Sequence, residues 1–427
     1  MSRVGIVDIG DNIDGAVRAL FDKTTPGKDL LKESGRVYLK PNGIDFKPYA
    51  FTDTRVVKAL IEYFYDCGAS EIFVIENSTQ ANMTRIVFKF TGYGDICKET
   101  GARAVYLDEE ELVGVRLPHF EEGVSFPRLV VEELIERRTE NTYVSLPKLK
   151  THSMSTVTLG VKNQMAFPSH TDRGYQHNYN LHRYLADLYK VVRPDYTLID
   201  GTHAVFNGHY PLETFLSQSI ERLDVLIGGK DTLSVDVVGA RVLGYRIDEV
   251  KHLAIVKGDG LGEGDIEKIE VLGNLSRFRK RYPCDILDKM PDDVRIVRGT
   301  EMLCPEGCDL NVRMVLQLLY FDHGGKGGFT IVMGKGFDRE VLESIEGRVL
   351  IAGDCAIGET QEILESRLGR KNIFTSPTCN RLADTTSALC KLMGISPLEL
   401  LPSRLAAAKD LILAKLKGSK ALIPDLM

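Results

Sequence analysis

Four cysteines in the C-terminal third have the residue types and spacing of a metal cage. Cys304 and Cys308 form a C-x₃-C pair, Cys355 follows a predicted strand in Ala352-Gly-Asp-Cys, and Cys379 follows the next strand in Ser376-Pro-Thr-Cys. Parallel strands open on one edge, so Cys355 and Cys379 should face a single crevice that the Cys304/Cys308 loop closes. The glycines and prolines beside them permit tight turns, and exposed backbone N–H groups can tune sulfur ligands. One close pair with two isolated cysteines suits a [4Fe–4S] cluster better than structural zinc, which usually takes two short pairs. A redox disulfide at Cys304/Cys308 leaves Cys355 and Cys379 without a role. Cys67, Cys97, Cys284 and Cys390 read as packing residues.

A second constellation lies in the N-terminal half, at the ends of predicted strands. Lys40 and Asn42 close one strand, and Glu76-Asn-Ser closes another. Lys148, Lys150 and His152 follow a third, in Ser-Leu-Pro-Lys-Leu-Lys-Thr-His, with Lys162 and Asn163 soon after and Asp200-Gly-Thr-His at a later strand end. Ligands of parallel α/β sheets bind beyond the carboxyl ends of strands. If these loops converge, four lysines share a pocket that attracts phosphate or carboxylate, and cationic neighbours can lower the pKa of one of them. Lys40, Lys148, Lys150 and Lys162 are then the anion-binding set, and Asn42 and Asn163 orient the ligand. His152 is the first candidate proton donor, with Lys150 as its catalytic companion. The competing reading is ordinary: lysines in water, and Asp231 and Asp236 capping a helix. His170, His177 and His182, with Tyr175, Tyr179 and Tyr184, form an aromatic stretch that lines the pocket, donates protons or binds a metal.

The elements that must position these groups alternate between short β-branched runs and amphipathic helices. Arg36–Lys40, Glu71–Ile75, Arg103–Leu107, Thr142–Leu146, Tyr196–Asp200 and Leu223–Gly228 read as strands, with helices at Thr54–Cys67 (capped by Asp53) and Gly92–Thr100. Such alternation predicts an α/β fold: a mostly parallel sheet with helices on both faces. A charged, proline-containing stretch near Lys289-Met-Pro-Asp-Asp interrupts the pattern, and a smaller α/β unit carrying the cysteines follows. The expected units are 1–296, 297–400 and a helical tail, 401–427. Ser403–Lys417 reads as a packing helix with a solvated lysine face.

Five ordered motifs carry a family resemblance. Val37-Tyr-Leu-Lys-Pro-Asn with Thr52-Asp-Thr-Arg-Val-Val, Leu146-Pro-Lys-Leu-Lys-Thr-His, Gly160-Val-Lys-Asn, Leu198-Ile-Asp-Gly and Asp231-Thr-Leu-Ser-Val-Asp resemble the domain-of-unknown-function 362 family, over about residues 35–260. The resemblance implies an association with iron–sulfur proteins. It does not bring an attached ferredoxin domain, because this chain has no run of closely spaced cysteines.

Other classes are disfavoured. A net charge of −6 argues against a dedicated nucleic-acid or anionic-membrane binder. No apolar run reaches the ~18–20 residues of a membrane span, the first ten residues lack the apolar core of a secretory leader, and the cytoplasm is the expected compartment. Gly324-Gly-Lys-Gly-Gly and Gly334-Lys-Gly lack the full phosphate-loop pattern, and no G-x-S-x-G elbow is present. The reading that joins both constellations is an oxidoreductase that binds an anionic small molecule in the N-terminal unit and exchanges electrons through the cluster, with a redox partner protein. Its rivals are a lyase, isomerase or transferase with a structural cluster or zinc, and a binding protein of cofactor or cluster assembly.

Overall fold

A computed structural model describes residues 1–304, 306–379 and 381–424, so the last three residues of the expected tail lie outside the described residues. The first unit is built on β1 (Ser2–Asp8), β2 (Arg36–Pro41), β3 (Glu71–Glu76), β4 (Arg103–Tyr106), a separate hairpin β5 (Leu112–Leu117) and β6 (Phe120–Pro127), then β7 (Thr142–Leu146), β8 (Lys148–His152), β9 (Thr156–Thr158), β10 (Tyr196–Val205), β11 (Ile220–Gly229) and β12 (Ile269–Leu272). The main sheet runs β12-β1-β11-β10-β7-β2-β3-β4, with β8 paired to β10 and β9. Its central pairs, β10–β7, β7–β2, β2–β3 and β3–β4, are parallel, whereas β11 runs antiparallel to both its neighbours. From β2 the chain moves outward to β3 and β4, then returns to β7 and moves the other way to β10. The carboxyl ends of β2 and β7 therefore flank a topological switch point, where parallel sheets leave a crevice.

Apolar helices cover both faces. The helices Ile13–Thr24 and Thr54–Asp66 pack Val17, Leu20, Val57 and Leu60 against Val37, Leu39, Val144 and Leu198. On the other face, Leu181–Val191 and Thr232–Val242 pack against Tyr143 and Ile199. Two sequence-level assignments change here. Lys148–His152, expected as a loop, is a strand resumed after Pro147. Its strict alternation is the reason: Lys148, Lys150 and His152 share one face, while Leu149 enters the core on the other. Thr202 and His203 likewise continue β10 instead of leaving it.

The second unit is a four-stranded parallel sheet in the order β13 (Val294–Arg298), β14 (Phe329–Met333), β15 (Arg348–Ala352), β16 (Ile373–Ser376). The division drawn at 296 falls inside β13, because arginines alternate with the apolar residues of that strand and obscure it. Cores form on both faces, one from Val312, Leu316 and Leu389, the other from Leu342, Ala356 and Leu364. The tail helix Arg404–Leu416 returns to the first unit, burying Ala407 and Ala414 beside Met83 and Ile86. The helix packs with its lysines in solvent, as expected, but Leu405, Ile412 and Leu416 are exposed with them. Small alanines allow the close helix approach that its leucines would block.

One internal contact sets the floor of the switch-point crevice. Gly160–Asn163 forms a single helical turn, and the buried Asp236 carboxylate accepts from Gly160 N (2.7 Å) and Val161 N (2.8 Å). Asp236 thus caps a different helix from its own. Asp236→Ala leaves both N–H groups unpaired in a dry environment, and each such loss costs about 1–3 kcal/mol. Urea denaturation of this variant is expected to show a stability loss of roughly 2–4 kcal/mol, with weaker binding of anions in the crevice above that turn.

Candidate functional site

The crevice is a buried chamber of about 570 Å³ including its mouth. Lys40, Lys150, Lys162 and Arg173 line it, against one carboxylate, Glu76, among the described lining residues; Asn42, His152, Asn163, His177 and His209 complete its polar wall. All four cations are at most 8% exposed. Lys40 is fully engaged: its ammonium donates to Asn163 Oδ1 (2.9 Å), Glu76 Oε2 (3.1 Å) and Pro41 O (3.1 Å). Asn163 in turn donates to Lys40 O and Ser145 Oγ, so its amide braces the wall and both its N–H donors are already used. Lys150 donates only to Ala50 O (3.0 Å), and Lys162 makes no hydrogen bond or ion pair among the described residues. Arg173 spreads its terminal nitrogens over four backbone carbonyls, which leaves its Nε without a partner.

Further buried atoms on the same wall lack partners: Asn42 Oδ1, Asn77 Oδ1, Thr158 Oγ1 and His209 Nδ1. Buried polar groups are ordinarily satisfied, so this concentration marks a place built to meet a polar guest. Electrostatics agree. Burial, reinforced by Arg173 and Lys40, brings the Lys162 ammonium down to about 7. Burial, then Lys162 and Lys148, drives Lys150 well below its usual value. Burial also pulls Arg173 down to about 10. His152 and His209 stack at 3.9 Å between ring centroids, and burial with the adjacent cations keeps both neutral. His152 Nδ1 accepts from Met154 N (3.1 Å), which assigns its proton to Nε2. His177 Nδ1 donates to Arg173 O (2.8 Å), leaving Nε2 as a bare lone pair.

Six of the seven expected pocket residues meet here: Lys40, Asn42, Lys150, His152, Lys162 and Asn163. Lys148 is the exception. It is buried against Asp200 Oδ2 (2.9 Å) and Thr202 Oγ1 (2.7 Å), and Asp200 also holds Asp53 N and Thr202 N. Lys148 thus locks β8 to β10. Within the aromatic stretch, His177 lines the chamber, whereas His170 is a brace, bonded to Ser78 O and Leu422 N. Arg173, His209 and Tyr210 were missed. Arg173 and His177 sit four apart on the helix His170–Tyr179, a spacing that puts both on one face; His209 and Tyr210 follow a turn whose direction no local pattern reveals.

The cysteines also converge. A Cβ added to Gly353 would lie 2.9 Å from Cys308 Sγ, 3.9 Å from Cys379 Sγ and 4.0 Å from Cys355 Sγ. Gly353 has φ +90°, so both backbone and space demand glycine. Cys304 is close as well: burial, then Cys355 and Cys379, pushes its thiol up. Two of the four are not on loops. Cys308 opens the helix Cys308–Gln317, and Cys355 lies in the first turn of Asp354–Leu368, where burial pushes its thiol up although nearby backbone N–H groups act the other way. Thr378 and Cys379 both adopt positive φ, +61° and +31°, a strained conformation of the kind that collects at functional sites. Among the described residues, no three His, Cys, Asp or Glu side chains are grouped tightly enough to hold a single metal ion. Three sulfurs surround this glycine and Cys304 lies near Cys355 and Cys379, so the group offers thiolate donors only; a [4Fe–4S] cluster would take one thiolate on each iron.

One helix joins the two constellations. His170–Tyr179 gives Arg173 and His177 to the chamber, while Asn178 Nδ2 donates to Cys379 O (2.7 Å) and the Tyr179 phenol bonds the Cys379 thiol. Gln80 ties the same region to the second unit by accepting from Leu382 N (2.9 Å). A recess lined by His152, Arg173, His177, His209, Asn311 and Met314 continues the chamber toward the helix that Cys308 opens. The two groups therefore adjoin, although they were expected in separable units.

Residues 37–241 match the family model described as a domain of unknown function (DUF362). The matched span contains every charged residue of the chamber and ends before the cysteines. No curated protein matches the chain.

Two lysines separate the structural and functional roles. Lys148→Met leaves Asp200 buried without its cation and is expected to cost about 3–5 kcal/mol in denaturant titrations. Lys162→Met removes an ammonium that burial disfavours, so that variant should melt higher than the parent. The sign follows from the lowered pKa: between pH 7 and 10.5 the unfolded chain binds the extra proton, and stability of the parent rises with pH. The gain from Lys162→Met is therefore largest below pH 7 and fades toward pH 10. Equal behaviour of the two variants would remove the distinction.

Proposed function

This chain belongs to the DUF362 family through residues 37–241, and from that premise we propose that it binds a small carboxylate or phosphate in the buried cation chamber and carries out redox chemistry on it, with a [4Fe–4S] cluster on Cys304, Cys308, Cys355 and Cys379. The observation that carries the reading is the surplus of buried cations facing unpartnered polar atoms, next to four converging cysteines. A bound cluster would supply single electrons.

The chain's own groups supply the rest. Arg173 offers charge to the anion, and Lys150, whose ammonium burial disfavours, would gain a proton as the anion enters, so that both make charge-assisted hydrogen bonds stronger than neutral ones. Lys162, with a pKa near 7, both donates and accepts a proton at neutral pH, which makes it a better acid–base group here than Lys150. His152 presents Nε2–H as a hydrogen-bond donor, and the Asn42 and Asn77 carbonyl oxygens would accept from a hydroxyl or amine on the ligand. Burial excludes water, so these interactions act in a medium of low dielectric constant. A non-redox reading, in which the cluster is structural and Lys162 moves a proton on a carboxylate substrate, is favoured by that same pKa. Reduction of the cluster by dithionite, followed by anaerobic reoxidation with candidate anions, separates the two.

Anaerobically isolated protein should be brown and contain about four irons and four sulfides per chain. Cys355→Ser should lose that absorbance, and Cys67→Ser, a residue distant from the cage, should keep it. A colourless preparation with stoichiometric zinc would rule the cluster out.

A further inference from the structure

Beside the cation chamber lies a second cavity of opposite character, about 1070 Å³ including its mouth. It sits between the two units and is lined by apolar side chains from both, among them Met83, Ile86, Leu212, Met314, Leu318 and Leu401. Among its few polar residues, Asn82 Nδ2 donates to Asp45 Oδ2 (3.1 Å), and Lys47 donates to Asp322 Oδ2 (3.1 Å). No unpartnered buried polar atom belongs to a described residue of its lining, in contrast to the chamber next door. A predominantly apolar lining of this kind favours apolar guests.

The two cavities adjoin. Thr79 and Tyr210 line both, and the Tyr210 phenol is hydrogen-bonded to Thr79. Met314 and Leu382 line both the apolar cavity and the recess that extends the cation chamber. Tyr210 faces the cations beside His209, with ring centroids 4.9 Å apart, and forms the partition between a charged room and an oily one. A ligand reaching past it needs one end of each kind.

We propose that the ligand of the cation chamber is an anionic amphiphile: its carboxylate or phosphate lies among Lys150, Lys162 and Arg173, and its apolar tail passes Tyr210 into the cavity between the units. This rests on the anion-binding reading and adds the class of molecule. A tail there buries apolar area against side chains of both units, and it stiffens the contact between them by packing against both.

The test is a homologous series of methyl, butyl, hexyl and octyl phosphate, with the matching carboxylates, measured calorimetrically against the full chain below the micellar range. Affinity should rise about fourfold per methylene over the buried part of the tail. Ala81→Phe and Leu212→Trp, both in the apolar cavity, should hold methyl phosphate within about twofold and lose most of the gain for octyl phosphate. Thermal melts show which of the two variants remains folded. A flat series whose members all bind would overturn the amphiphile and leave the anion site standing. Absence of binding at every length would overturn the anion site beneath it. A chain-length gain that persists in both folded variants would place the tail elsewhere and end this proposal.

Discussion

Removing several like charges from water in one place is the constraint on which the rest of this structure depends. Lys40, Lys150, Lys162 and Arg173 share a wall with one carboxylate among its described residues, and an isolated ion in such a setting is disfavoured by many kcal/mol unless it is paired or neutralised. The fold answers differently for each. Lys40 has Glu76 and Asn163, Arg173 has four backbone carbonyls, and Lys148, just outside, has Asp200. Lys150 and Lys162 have almost nothing and lose basicity instead. An arrangement that costs stability and supplies no packing advantage is what a binding site requires.

The scaffold around this charge is correspondingly over-determined. Asp236 pins the turn that carries Lys162, Asp200 pins the strand that carries Lys150 and His152, and Glu76 accepts from Gly43 N as well as from Lys40. Braces of this type hold polar groups within small tolerances on rigid elements. The same helix that aims Arg173 and His177 inward also holds Cys379 through its carbonyl and thiol. Redox or binding events at the cysteines would therefore be felt at the chamber through a short, buried path.

Much of this arrangement was legible because it follows from local rules. Lys40, Asn42, Lys162 and Asn163 follow apolar strands or glycine turns, and parallel topology then brings their ends together. The alternation Lys148-Leu-Lys-Thr-His was visible too, yet Pro147 concealed that a new strand begins, so three residues of one face were read as a loop. What period and spacing could not reveal was partnership. Lys148 and Lys150 look alike in sequence, and only the register of β8 against β10, which sets Lys148 opposite Asp200, makes one a lock and leaves the other facing the chamber. Arg173 and His209 were hidden for the same reason. Their roles depend on where a helix and a turn return in space. For the cysteines, adjacent strand ends pointed Cys355 and Cys379 into one crevice, and both sulfurs lie beside Gly353 with Cys308; spacing did not reveal that Cys308 and Cys355 would open helices.

The central claim is that the chamber holds neutral lysine waiting for an anion. Proton uptake on binding tests it most directly. Calorimetric titration of sulfate or hexanoate, each fully ionised at pH 8, in buffers of different ionisation enthalpy reports how many protons enter with the ligand. Because Lys162 is mostly neutral at that pH, the account predicts uptake of about one proton or more per anion bound, abolished or halved in Lys162→Met. Binding with no proton uptake in the parent protein would contradict it.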